Sequence, residues 1–232
     1  MKTNTLKTIL MAIALFMPFV AGAQTYEIYK NNGDTLVLQY NEVDSIVFRA
    51  KEVKPDPNAG YVDLGLSVKW DTCNVGATVP TEYGDYFAWG EIEPKDEYTQ
   101  VNSLTYMKEV GEDIFGNPKY DAATAILGAE WRMPTYDEMD ELCTMCTWDW
   151  TTIDGCQGYQ ITGPNGNTIF LPAAGRYVDD VLNYTNFSGL YWLGDYVDKE
   201  CSYCLLFDLE FHTAYCSDYR FHGLSIRPVR VE

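Results

Sequence analysis

Trp131-Arg132-Met133-Pro134-Thr135 and the run that follows it to Cys146 constrain this chain more than any other stretch. Pro134 ends what precedes it, because the residue before a proline is pushed out of the helical region. Thr135 then stands where its hydroxyl can cap free amides, and Glu138, three residues on, completes a capping-box pattern. Tyr136, Met139, Leu142, Cys143 and Cys146 share one helical stripe, with Asp137, Glu138, Asp140 and Glu141 opposite. Acids in the early turns suit the positive end of the helix dipole. A helix therefore starts at a fixed point. We read Trp131 as a core aromatic and Arg132 as its structural ion-pair former, since nothing beside them in sequence looks like an acid–base partner.

Other elements follow from local signals. Asp121 and Gly128 bracket an alanine-rich run that predicts a short helix. Trp148–Ile153 and Gly158–Thr162 flank the turn pair Asp154-Gly155, and Pro164-Asn165-Gly166-Asn167 leads into Thr168–Pro172. Tyr61–Trp70 reads as a glycine-punctuated strand region. Tyr83–Gly90 carries aromatics that can pack across a sheet, and Glu91–Tyr98 reads as a solvated loop. Leu224–Val231 predicts a closing strand, with Pro228 limiting its pairing to an edge or its end. Helices in the middle with strands at both ends make an α+β domain, not an alternating α/β one.

The N-terminal part has a different character. Lys2 and Lys7, the apolar run Ile9–Val20 and Ala21-Gly22-Ala23 predict a secretory signal peptide over residues 1–23. The run is too short to span a bilayer and Pro18 interrupts it, so no membrane insertion is expected after cleavage. The first cysteine after it is Cys73, so no thiol stands at the cleavage point to take a lipid. Residues 24–50 predict a small β-rich leader: alternating runs flank Asn31-Asn32-Gly33-Asp34, and Val43, Ile46, Val47 and Phe48 suggest a third piece. Residues 51–60, with Pro55 and Pro57, read as a linker to the main domain, 61–232.

Cleavage would remove two lysines and no acids, leaving 14 basic against 34 acidic residues, a net charge of −20. Such a surface repels phosphate backbones and anionic lipid, which argues against nucleic-acid and membrane-surface roles. Periplasm, cell surface and medium all remain open as destinations. Seven cysteines leave at least one thiol unpaired within a chain, and export permits disulfides without requiring them.

Several stretches in one order resemble the fibrobacter major paralogous domain family: Tyr61–Gly76 (YVDLGLSVKWDTCNVG), Tyr83–Gly90 (YGDYFAWG), Trp131–Thr135 (WRMPT), Gly163–Gly175 (GPNGNTIFLPAAG), Tyr191-Trp192 and Ser225–Val229 (SIRPV). The resemblance covers roughly residues 61–230. It implies an exported bacterial protein with a C-type-lectin-like fold, related in shape to the formylglycine-generating enzymes, whose termini meet in one sheet. It implies little about activity, because fold is not function.

The chemistry-bearing residues give no reaction. Cys143-x-x-Cys146 and Cys201-x-x-Cys204 have zinc-like spacing, but positions three apart on a strand point to opposite faces. Disulfides or free thiols are favoured over zinc. The formylglycine-generating chemistry needs a reactive cysteine pair near the chain's end, where Cys201, Cys204 and Cys216 lie, but that group's surrounding motif is absent. His212 and His222 read as surface residues, with no nucleophile-elbow motif to make a triad. The Glu-Pro-Asn and Trp-Asn-Asp patterns of calcium-dependent lectins are missing. No metal and no cofactor are expected.

Residues 183–222 stand out by composition, dense in Tyr, Asp, Cys, Ser, Phe, Leu and Asn. Tyrosine-rich, short-polar surfaces suit adaptable binding, because tyrosine buries much area at low entropy cost. Ordinary drift in a loop-rich face gives the same composition. The resemblance adds that some proteins of this fold diversify this stretch by adenine-directed mutagenesis. We expect loops on one side, with Tyr184, Phe187, Tyr196, Tyr203, Tyr215, Tyr219 and Phe221 stacking on a ligand and Asp195, Asp198 and Asp218 accepting its hydrogen bonds. The function so predicted is non-enzymatic recognition or adhesion toward an extracellular protein or glycan; the alternative is an extracellular oxidase or hydrolase.

Overall fold

The structure, a computed structural model, describes residues 25–29, 35–39, 60–110 and 113–231. The expected signal peptide, the apolar piece at 43–48 and nearly all of the linker lie outside the described residues. The chain divides into two units, Met1–Val53 and Lys54–Glu232. In the first, β1 (Thr25–Tyr29) and β2 (Thr35–Gln39) pair antiparallel, with Thr25 opposite Gln39 and Tyr29 opposite Thr35. The turn-flanked alternation predicted this hairpin.

The second unit is β-rich, with two short helices among its described residues. β3 (Tyr61–Asp63), β4 (Lys69–Asp71), β14 (Val229–Arg230) and β5 (Trp131–Arg132) form one sheet in that order. β6 (Thr147–Ile153), β7 (Cys156–Thr162) and β8 (Thr168–Pro172) form a second, whose first turn is Asp154-Gly155 with both residues at positive φ. β9 (Arg176–Val178) and β10 (Val181–Asn183) pair with each other. β11 (Ser188–Tyr196), β12 (Cys201–Asp208) and β13 (His212–Tyr219) make an antiparallel three-stranded sheet.

Both helices begin where their caps predict. The Asp121 carboxylate accepts from Thr124 N ahead of α1 (Ala122–Leu127), and Gly128 follows it at positive φ. Ahead of α2 (Tyr136–Met145), Thr135 Oγ1 accepts from Glu138 N, while Glu138 Oε2 accepts from Thr135 N at 2.9 Å, closing the capping box. Glu138 also holds Arg132 in a two-pronged pair at 2.7 and 2.5 Å, and Trp131 is buried.

The closing strand differs from its expectation. Only Val229 and Arg230 pair as β14, and they sit between β4 and β5 rather than at an edge. Pro228, lacking an N–H, stands just before the paired residues, while its carbonyl accepts from Asp71 N at 3.0 Å. Leu224 and Ser225 make only single bridges, to Phe87 and Tyr191. Between them and Pro228, the fully buried Arg227 donates to Asn74 Oδ1, Asp71 O and Phe170 O at 2.9, 2.9 and 3.0 Å. One guanidinium thus ties the end of the chain to β4, the loop after it and β8.

The loop 91–98 also differs. Its middle is exposed, but Glu91 is buried, pairing with Lys95 at 2.9 Å and accepting from Leu104 N at 2.8 Å. Tyr98 is buried too, donating its hydroxyl to Tyr86 O.

The sheet β11–β13 lies between two buried clusters. Tyr191, Leu193, Leu205, Phe207 and Ala214 belong to one, with Leu142 of α2 and Ile161 of β7. Leu190, Trp192 and Cys204 belong to the other, with Phe87, Trp89 and Ile226, and Leu206 and Cys216 pack at its margin. Alternation along the strands produces this division.

Candidate binding groove

The stretch 183–222 is mostly sheet, not loops emerging on one side. Its aromatics therefore divide between surfaces, and the ten expected ligand contacts do not form one face. Tyr203 tilts against Tyr136 of α2 with ring centroids 5.2 Å apart. Tyr215 is 78% exposed. Tyr196 and Trp89 hold the buried Arg220 guanidinium against their rings at 4.7 and 4.3 Å. Phe221 is buried, stacked on Tyr219 and edge-on to Tyr106, so it serves packing. Asp198 Oδ1 accepts from Glu200 N and Cys201 N, shaping the turn before β12. Asp195 Oδ2 accepts from Tyr136 N at 2.6 Å at the start of α2. Burial there, with Asp113, Asp137 and Glu138 nearby, pushes the Asp195 carboxyl up to about 6.

Tyr184, Phe187 and Asp218 do come together. They line an open groove of about 570 Å³ with Arg176 of β9, Leu190 of β11, Leu206 and Asp208 of β12, Leu209–Phe211, and Cys216 and Ser217 of β13. Two turns raise its walls. In the first, Tyr184 and Asn186 take positive φ, while Phe187 N and Ser188 N both donate to Tyr184 O and Asn186 N donates to Ala173 O. In the second, Asp208 Oδ1 accepts from Glu210 N at 2.8 Å and Phe211 N at 3.2 Å. The turns leave Phe187 74%, Tyr184 60% and Phe211 46% exposed.

Among the lining residues is an ordered charge pair. Arg176 Nη1 donates to Asp218 Oδ2 at 2.6 Å, and Asp218 Oδ1 lies 2.8 Å from His222 Nδ1. Burial alone would raise the Asp218 carboxyl; the His222 hydrogen bond and the charges of His222 and Arg176 outweigh it, and the carboxyl is lowered. Asp218 is thus committed to its neighbours rather than free to accept from a ligand. Arg176 Nε is buried and has no hydrogen-bond partner among the described residues. His222 is buried, against its surface expectation, and His212 lies flat on Trp148 at 4.2 Å with Nε2 3.2 Å from Cys143 O. Both histidines are held by structural contacts.

Arg176, Asp208, Glu210, Phe211 and Ser217 are among the groove residues that sequence reasoning did not single out. Phe211 lay inside the flagged stretch, but Arg176 follows the Ala173-Ala174-Gly175 turn and carries no local sign of its partner 42 positions on. Among the described residues, no group of three His, Cys, Asp or Glu is placed to hold a metal ion. No described helix is long and apolar enough to cross a membrane. No family model, curated protein or solved structure matches this chain.

Proposed function

We propose that this chain is an exported, non-enzymatic recognition module of the C-type-lectin-like, major-paralogous-domain kind, which binds an extracellular ligand through the groove between Phe187 and Phe211. The carrying observation is three exposed aromatic side chains on the walls of a groove lined also by a fixed Arg176–Asp218 pair. Exposed aromatics at this density mark contact surfaces. Of the expected ligand classes, protein and glycan, the groove favours glycan. Aromatic faces suit the C–H faces of sugar rings, while Asp208, Glu210 and Ser217 beside them offer hydrogen bonds to hydroxyls. An array of extracellular glycans and proteins, probed with the mature chain, tests this reading. Selective capture by a glycan class supports it, and capture by proteins alone moves the assignment to a protein partner.

One observation favours the enzymatic alternative. Cys204 and Cys216 stand opposite each other in the β12–β13 ladder, and Cys216 lines the groove. Catalysis would also require a base free to move a proton. His222 is instead buried and does not line the groove, which is open to water. The recognition reading therefore stands ahead of it.

A further inference from the structure

All seven thiols are free in this structure. One pair differs from the rest in its placement. Cys204 of β12 and Cys216 of β13 are directly opposite partners in an antiparallel ladder. Opposite residues in such a ladder have Cα atoms about 4.5–5.5 Å apart, inside the roughly 4.4–6.8 Å range that a disulfide spans. The other close spacings do not match it. Cys143 lies in the last turn of α2 and Cys146 is its extended C-cap, so no ladder sets those two opposite each other. Cys201 and Cys204 lie on one strand at positions that face opposite ways.

We propose that Cys204 and Cys216 are a dithiol modification site, which an external disulfide compound oxidises to a cross-strand disulfide beside the binding groove. Access fixes the order of events. Cys216 lines the groove with Leu206 and Asp218, whereas Cys204 is fully buried behind it. Cys216 is therefore the attacking thiol. Its sulfur displaces one thiol from the incoming disulfide, forming a mixed disulfide. Cys204 then attacks the Cys216 sulfur and expels the second thiol. Two protein thiols become one disulfide, the external disulfide becomes two thiols, and the two protons end on those leaving groups. Oxidation draws the Cys216 sulfur toward Cys204 and away from the groove wall.

The full chain, purified reduced and incubated with oxidised glutathione, tests the site by peptide mapping under non-reducing conditions. The expected product is a linked peptide pair containing Cys204 and Cys216. Cys204→Ser should instead accumulate a glutathione adduct on Cys216, because the resolving thiol is gone. Cys216→Ser should leave Cys204 unmodified in the folded chain. The proposal is overturned if the wild-type chain, still folded by circular dichroism, keeps both thiols free or links either one to another cysteine. A Cys204→Ser chain without the Cys216 adduct would equally overturn the order of attack. The mapping of the wild-type chain stands even if a variant folds poorly, and its outcome is independent of whether the groove binds a glycan.

Discussion

Asp218 joins two residues that the sequence keeps far apart in role, with Arg176 Nη1 at 2.6 Å from one oxygen and His222 Nδ1 at 2.8 Å from the other. Because the folded chain lowers the Asp218 carboxyl, the pair's stabilisation is present above the ordinary aspartate range near 3.8 and is lost as pH falls through the lower folded value. Asp218→Asn should remove that acid-range dependence. It should also cost about 3 kcal/mol, the low end for a broken buried pair, because Arg176 keeps some exposure. Urea melts at pH 7 and pH 3 check both statements.

Asp195 should act in the opposite sense. Its folded carboxyl lies at about 6, above the ordinary 3.8, so the folded state binds the proton more tightly than the unfolded chain does. Stability therefore falls as pH rises from about 4 to about 6. Asp195→Asn keeps an oxygen to accept from Tyr136 N and cannot ionise. The variant should be more stable than wild type at pH 7 and should lose the slope in that window. Melting temperatures at half-unit pH steps would reveal an unchanged slope, if burial were not its cause.

The anchor before α2 offers a ranking. Thr135→Ala removes one side of the capping box and should cost on the order of 1 kcal/mol. Trp131→Ala empties a buried site and should cost about 3–5 kcal/mol. Denaturant melts of the two variants side by side should keep that order, and a reversed order would mean that Trp131 contributes little to the core.

Arg227 offers a different test, of a buried charge whose hydrogen bonds go to neutral oxygens. Arg227→Leu removes the donors to Asn74 Oδ1, Asp71 O and Phe170 O, all at hydrogen-bonding distance. Each buried acceptor left alone costs about 1–3 kcal/mol. A loss of at least about 3 kcal/mol is expected, and Arg227→Lys should recover only part of it because an ammonium cannot reproduce the fork. Full recovery by lysine would show that charge, not geometry, holds the site.

These cases also mark what the sequence could reveal. Thr135 and Glu138, Asp121 and Gly128, and Asp154-Gly155 were legible because each signal acts within four residues, where cap and turn chemistry is decided. The sheet at 188–219 was not. β11 is buried from Gly189 to Gly194 on both faces, so it shows no alternation, and its neighbours mix aromatics with short polar residues. Glu91 and His222 read as solvated or surface positions, and Arg227 as part of a closing strand. Their burial depends on partners brought together only by the fold, as with Arg176 and Asp218. Of the expected ligand residues, Tyr184 and Phe187 line the groove with exposed side chains, while Phe221 and Tyr196 pack against rings that include Tyr106 and Trp89, outside the stretch.

The central claim is that recognition resides in the groove. The direct measurement is a binding titration of the array-captured glycan against wild type, a Tyr184→Ala/Phe187→Ala/Phe211→Ala chain, and a Tyr203→Ala/Tyr215→Ala chain. Central aromatic contacts often carry about 2 kcal/mol each, so the triple change should abolish measurable binding while the melting temperature stays nearly constant, because these side chains are exposed. The double change, outside the groove lining, should bind like wild type. Unchanged binding by the triple variant, with binding lost in the double variant, would contradict the account and move the recognition surface to the α2 side of the sheet.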